Sequence, residues 1–169
     1  MTAPFRLEAL APHHDRKGFT CGVEALDSYF AERVTQDIRR RLTACYVAIE
    51  AATSRVAGYY TLAAAGIPLG DLPQSLVKRL PRYPSLPVAR LGRLAVVQGC
   101  RGQGLGSAML WDALTRAARS EVAVFALVVD AKNEQAEAFY RHQGFAPFGL
   151  VPRQLFLPLK SDASGRSSG

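Results

Sequence analysis

Apolar residues recur at Val23, Leu26, Phe30, Val34 and Ile38, one face of a 3.6-residue period, and predict a single helix across 23–38. Its opposite face carries Glu24, Asp27, Glu32, Arg39 and Arg40. Residues 46–49 and 56–62 are short apolar runs joined by a polar turn at Thr53 and Ser54, the spacing of a β-hairpin. Alternation over 5–10 predicts a first strand. Between Gly66 and Pro87, the prolines at 68, 73, 81, 84 and 87 leave room for one short helix, about 74–80. The next strand is 88–97. Leu105, Met109, Ala113 and Ala117 stand at a four-residue step and predict a helix from 105 to about 119. Residues 122–129 are nearly all apolar, as expected of a strand covered on both faces. A short helix at 133–142, ended by Gly144 in a left-handed cap, precedes two closing strands at 145–151 and 154–159.

This order predicts a mixed α/β domain spanning 1–160, with a βαβ unit and its parallel pairing at 88–129. The serine- and glycine-rich tail, 161–169, has nothing to bury and is expected to be disordered.

The junction inside that βαβ unit carries the chemistry. Arg101, Gly102, Gln103, Gly104, Leu105 and Gly106 connect the strand to the helix. A glycine-rich loop at a helix N-terminus offers backbone N–H groups and the positive end of the helix dipole, which together suit phosphate or diphosphate. The loop lacks the Lys-Ser or Lys-Thr pair of a nucleoside triphosphate loop, and its glycines stand at every second position, not at dinucleotide spacing.

The pattern Arg101, Gly104, Gly106 resembles the pyrophosphate loop of the GNAT superfamily of acetyl-coenzyme A-dependent N-acetyltransferases. Asn133, followed seven residues later by Tyr140 and then by Gly144 and Phe145, is similar to the closing signature of that superfamily. The resemblance covers roughly 43–159. It implies the GNAT fold, a mixed sheet of about six to seven strands flanked by about four helices. Further stretches are similar to one branch, the TacT/AtaT-like toxins of bacterial toxin–antitoxin modules: Phe19-Thr20-Cys21-Gly22 with Leu26-Asp27-Ser28-Tyr29, Gly58-Tyr59-Tyr60-Thr61-Leu62, Pro81-Arg82-Tyr83-Pro84, and Leu91-Gly92-Arg93-Leu94. That branch implies acetylation of the α-amino group of aminoacyl-tRNA, inhibition of translation, a ribbon-helix-helix antitoxin as partner, and a homodimer.

Carried over residue by residue, the resemblance implies that residues 101–106 hold the coenzyme diphosphate. The backbone of Leu94, Ala95 and Val96 would pair with the pantetheine arm and polarise the thioester. Asn133 would hydrogen-bond the coenzyme, and Tyr140 would protonate the departing thiolate or orient the sulfur by hydrogen bonding. Each has a plainer role open to it: Asn133 suits a helix N-cap, and Tyr140 suits a ring sealing its helix against the sheet. No general base stands out, since neither Glu134 nor Glu137 has a distinguishing position. An α-amine, with a pKa of about 7.7–8.0, asks less of a base than a lysine near about 10.4.

Composition adds a charge argument. The net charge of +7 is partly clustered, at Arg39-Arg40-Arg41 and at Lys78, Arg79, Arg82, Arg90 and Arg93. Such a surface draws polyanions, and Lys78, Arg79, Arg90 and Arg93 are the candidate tRNA contacts. Cys21, Cys45 and Cys100 are widely spaced with no metal-ligand pattern, which fits free thiols in the cytoplasm and no metal. Cys100 lacks a neighbouring base and reads as a bystander; His13 and His14 read as surface residues. No apolar run reaches membrane-span length and no signal peptide is visible. Two other functions stay open: acetylation of a small amine, peptide or ribosomal protein, and non-catalytic binding of acyl-CoA.

Overall fold

A computed structural model describes residues 4–160, so the tail at 161–169 lies outside the described residues. Seven strands form one sheet in the order β1-β2-β3-β4-β5-β7-β6. The strands are β1 (Phe5–Ala9), β2 (Ala44–Glu50), β3 (Val56–Pro68), β4 (Ser85–Val96), β5 (Ala126–Asp130), β6 (Ala146–Pro147) and β7 (Gln154–Pro158). The helices are α1 (Glu24–Glu32), α2 (Val34–Arg39), α3 (Gln74–Val77), α4 (Leu105–Ala118) and α5 (Glu134–His142). β1 and β2, β2 and β3, β5 and β7, and β6 and β7 pair antiparallel, while β4 and β5 pair parallel, as the βαβ reading requires. The chain forms two compact units. Among the described residues, one comprises 4–63 with Gly92–Ala113, and the other Ala64–Leu91 with 114–160.

In the first unit, Phe30, Val34, Val47, Ile49 and Tyr59 are almost wholly buried and form one core with Cys21, Tyr29, Cys45, Val56 and Ala95. The Phe30 and Tyr59 rings stack at 4.2 Å, and the Tyr59 hydroxyl donates to the Leu26 carbonyl at 2.6 Å. The periodicity over 23–38 therefore identified the buried face correctly. The helix itself is broken: Arg33 has φ −118°, and Val34-Thr35, a β-branched pair that propagates a helix poorly, begins α2.

The second unit packs Ile67, Leu69, Leu72, Leu86, Val88, Ala126, Val128, Phe148 and Phe156 into its own core. Three predicted boundaries are corrected here. β3 runs to Pro68 although Ala63-Ala64-Ala65-Gly66 has weak strand propensity of its own, which is why its composition did not announce the extension. A methyl at Gly66 would stand 2.9 Å from the Ser85 hydroxyl, so the two segments approach closely. β5 starts only at Ala126, where its register with Val88 begins; Val122 is three-quarters exposed. β6 is two residues long, since Pro147 has no N–H and Gly149 turns the chain at φ +68°.

Candidate active site

β4 pairs with β5 from Val88 opposite Ala126 through Leu91 opposite Val129, then continues through Leu94, Ala95 and Val96. In the first unit, the Val97 amide donates to the Ala57 carbonyl at 2.8 Å, which ends the strand against β3. A short 3-10 turn, Gln98–Cys100, follows. Arg101, Gly102, Gln103 and Gly104 are all exposed, whereas Leu105 is buried and pins the start of α4 into the core. Gly102 and Gly104 sit at φ +79° and +76°, the left-handed region that favours glycine. The first helical bond runs from the Ala108 amide to the Gly104 carbonyl at 3.1 Å. The Leu105 and Gly106 amides precede that bond, at the positive end of the helix dipole. The geometry fits a diphosphate: an exposed turn, left-handed glycines, and a methyl on either of them meeting nothing within 4 Å.

Arg101 is not simply a cation at the mouth of the loop. Its guanidinium donates to the Cys21 carbonyl, eighty residues away. Cys100 beside it is buried, with the Arg55 guanidinium donating to its sulfur at 3.8 Å and its thiol donating to the Glu50 carboxylate at 4.0 Å, a neighbour the sequence spacing did not announce.

In the second unit, Asn133 caps α5: its Oδ1 accepts the Ala136 amide at 2.8 Å. Tyr140 is buried among Phe139 and Phe145, with ring centroids at 5.2 and 5.6 Å in edge geometry. Burial pushes its phenol up to about 12. Gly144, at φ +103°, ends the helix as expected. Glu137 is paired with Arg141 at 3.1 Å and lies 4.0 Å from Arg153. Both contacts engage the Glu137 carboxylate in ion pairs, and its position does not single it out as a general base.

The four candidate tRNA cations divide. Lys78 and Arg79 are exposed just after α3. Arg90 is ion-paired with Asp130, and Arg93 lies over the Tyr29 ring at 3.4 Å. The Tyr29 hydroxyl donates to Asp37 at 2.8 Å, and its phenol is pushed up to about 12, by burial first and that hydrogen bond second. The His14 reading is corrected: its side chain is 5% exposed, Nδ1 accepts the Ala11 amide at 2.9 Å, and Nε2 faces Glu8 at 2.7 Å. That amide fixes the tautomer, placing the proton on Nε2. Glu8, His13 and His14 bring ligand atoms within 4.8 Å of one another. A metal on Nε2 would need Nδ1 protonated, and an N–H already points there. Among the described residues, no helix is long and apolar enough to cross a membrane.

Residues 12–145 match the acetyltransferase (GNAT) family. The chain belongs to that family. It is an acetyltransferase with acetyl-CoA as its acetyl donor. Among relatives of this GNAT chain, the tRNA-acetylating toxin of Mycobacterium tuberculosis is 32% identical over 86% of this chain and 87% of its own. AtaT solved with acetyl-methionyl-tRNAfMet is 31% identical, with a TM-score of 0.84 over 91% of this chain and 94% of that one. A tyrosine-to-phenylalanine variant of AtaT, bound to the C-terminus of the antitoxin AtaR and to acetyl-CoA, is 27% identical. Its TM-score is 0.76 over 98% of this chain and 100% of that one.

Proposed function

We propose that this GNAT enzyme acetylates the α-amino group of the amino acid on charged tRNA and thereby stops translation. It works in the cytoplasm as a homodimer until a ribbon-helix-helix antitoxin neutralises it. The observation that carries the reading is the exposed left-handed glycine turn opening onto α4, in a chain similar over most of its length to a tRNA-acetylating toxin. Residues 1–160 are read as one acetyltransferase domain, since the family match runs through both units.

In this reading, residues 101–106 hold the coenzyme diphosphate, through the backbone amides that follow Arg101 and the remaining guanidinium N–H groups of Arg101, whose own amide donates to the Gln98 carbonyl at 3.3 Å. The backbone of Leu94, Ala95 and Val96 pairs with the pantetheine arm as another strand would, and one of its N–H groups polarises the thioester carbonyl. Asn133 spends its side-chain oxygen on the α5 cap, so the group it has left for the coenzyme is its Nδ2 amide. Tyr140, held protonated by burial, gives its proton to the departing thiolate as the tetrahedral intermediate collapses. The ester next to an α-amine lowers its pKa below the usual range, so a large neutral fraction attacks without a dedicated base; water takes the proton the nitrogen loses and returns one to the Tyr140 phenolate after the thiol leaves. Lys78 and Arg79 follow the tRNA backbone, with Arg90 and Arg93 contributing less because each is already engaged.

The test is incubation with labelled acetyl-CoA and a pool of charged tRNAs, followed by mass analysis of the released aminoacyl adenosines. The expected product is an acetylated α-amine on one or a few amino acids. Label that persists on protein or small amines after the RNA is destroyed would replace this reading with an ordinary N-acetyltransferase.

A further inference from the structure

We infer that Asp27 is a positioning residue for the coenzyme loop, acting on Arg101 through residues 20–22. The inference rests on the reading of residues 101–106 as the diphosphate site. Asp27 lies in the first turn of α1 and uses both carboxylate oxygens on one segment. Oδ1 accepts the Cys21 amide at 2.9 Å, and Oδ2 accepts the Thr20 hydroxyl at 3.2 Å. That segment in turn presents two consecutive carbonyls to the stretch that leads into the glycine loop. The Thr20 carbonyl accepts the Gln98 amide at 3.1 Å, and the Cys21 carbonyl accepts the Arg101 guanidinium. The segment therefore grips both ends of the 3-10 turn before the loop.

Two features make this more than a local cap. The Cys21 amide and the Thr20 carbonyl belong to one peptide group, so a carboxylate on the amide strengthens the carbonyl as an acceptor for Gln98. There is also no slack between the segment and the loop. Gly22 stands at φ +89°, and a methyl there would lie 2.6 Å from Gln98 Nε2 and 3.3 Å from Arg101 Nη2. Arg101 is otherwise an exposed, long side chain that would lose rotamer freedom on meeting an anion. Anchoring one of its five N–H groups on a fixed carbonyl restricts it beforehand and leaves the others for phosphate oxygens.

A relay through the loop affects only donors that carry the diphosphate, whereas a general folding role weakens every donor. The experiment compares Asp27→Ala and Asp27→Asn with wild type, using acetyl-CoA and acetyl-pantetheine as donors to charged tRNA. Calorimetric affinity for coenzyme A is read alongside, since it needs no acceptor. Asp27→Ala should weaken coenzyme A and raise the KM for acetyl-CoA by roughly tenfold, the scale of one charge-assisted hydrogen bond. Saturating kcat and turnover of acetyl-pantetheine should stay within about twofold. Asp27→Asn, which keeps one acceptor for the Cys21 amide, should fall between, and it serves where the alanine variant folds poorly. In an Arg101→Ala background the Asp27→Ala change should cost clearly less than in wild type, because only the contact with the Gln98 amide is left to weaken.

Equal losses with both donors, or unchanged coenzyme affinity in Asp27→Ala beside a weakened Arg101→Ala, overturns the relay. If Arg101→Ala and the Asp27 variants all bind coenzyme A like wild type, the diphosphate reading of the loop falls as well.

Discussion

Gly58→Ala is a sharp perturbation because the added carbon has a defined place to go. In β3 it would lie 2.7 Å from Met109 Sδ and 2.9 Å from the Ala95 carbonyl oxygen. The sulfur belongs to a flexible side chain and can move, but Met109 is wholly buried on the inner face of α4, so it moves only by disturbing its neighbours. The carbonyl cannot move without β4. Overpacking of this kind costs about 1–3 kcal/mol. For a chain of this size that is a fall in Tm of roughly 3–10 °C, with an unchanged urea m-value. Because Ala95 lies in the segment proposed to pair with pantetheine, the KM for acetyl-CoA should rise with the loss of stability. Introducing Gly58→Ala into a Met109→Ala background separates the two contacts. The sulfur obstacle is then gone, and most of the penalty should persist through the carbonyl. A Tm within about 1 °C of the parent in both backgrounds would show that the β3–β4 approach is not tight, and the reasoning would fail.

Tyr140→Phe keeps the aromatic packing and removes only the phenolic proton; kcat should fall about 10²–10⁴-fold with coenzyme A affinity unchanged, and full turnover would remove Tyr140 from the chemistry. Burial pushes both Tyr140 and Cys45 up to about 12, from ordinary values of 10.0 and 9.0. Both pKa values are raised, so the stability tied to their neutral forms is whole below about pH 9 and drains as pH climbs toward 12. Urea midpoints at about pH 8, 10 and 11 should fall in that order, with Cys45→Ala delaying the onset; a flat series contradicts the burial argument. Replacing Lys78 and Arg79 together should lower the salt slope of tRNA binding by about 0.7–0.9 per cation. Arg90→Gln should change that slope less, since Asp130 already neutralises Arg90, and a larger change would refute the division drawn above.

Periodicity located the buried faces because it depends only on neighbours in sequence. Phe30 and Val34 in α1 and α2, and Met109 and Ala113 in α4, are all fully buried as their spacing demands. The glycine turn and the α5 cap were legible for the same reason: their chemistry is local. What escaped was whatever depends on partners far along the chain. Arg90 meets Asp130 forty residues on, Arg93 covers Tyr29, and Arg101 reaches Cys21. Side-chain type announces none of these pairings. The His14–Glu8 contact was missed although only six residues separate them, because the intervening turn folds back and lets the Ala11 amide orient the ring. The break at Arg33 was also hidden, since both halves keep their apolar residues on one face.

Cys21, Cys45 and Cys100 are all buried residues, at 2%, 4% and 2% exposure. A thiol reagent can reach each only when its surroundings open, so the pace of labelling becomes a stopwatch for breathing at three known addresses. Cys21 would time the segment behind Arg101, Cys45 the strand β2, and Cys100 the approach to the glycine turn. Coenzyme that settles on that turn should slow the first and last of these clocks and leave the middle one running at its own rate.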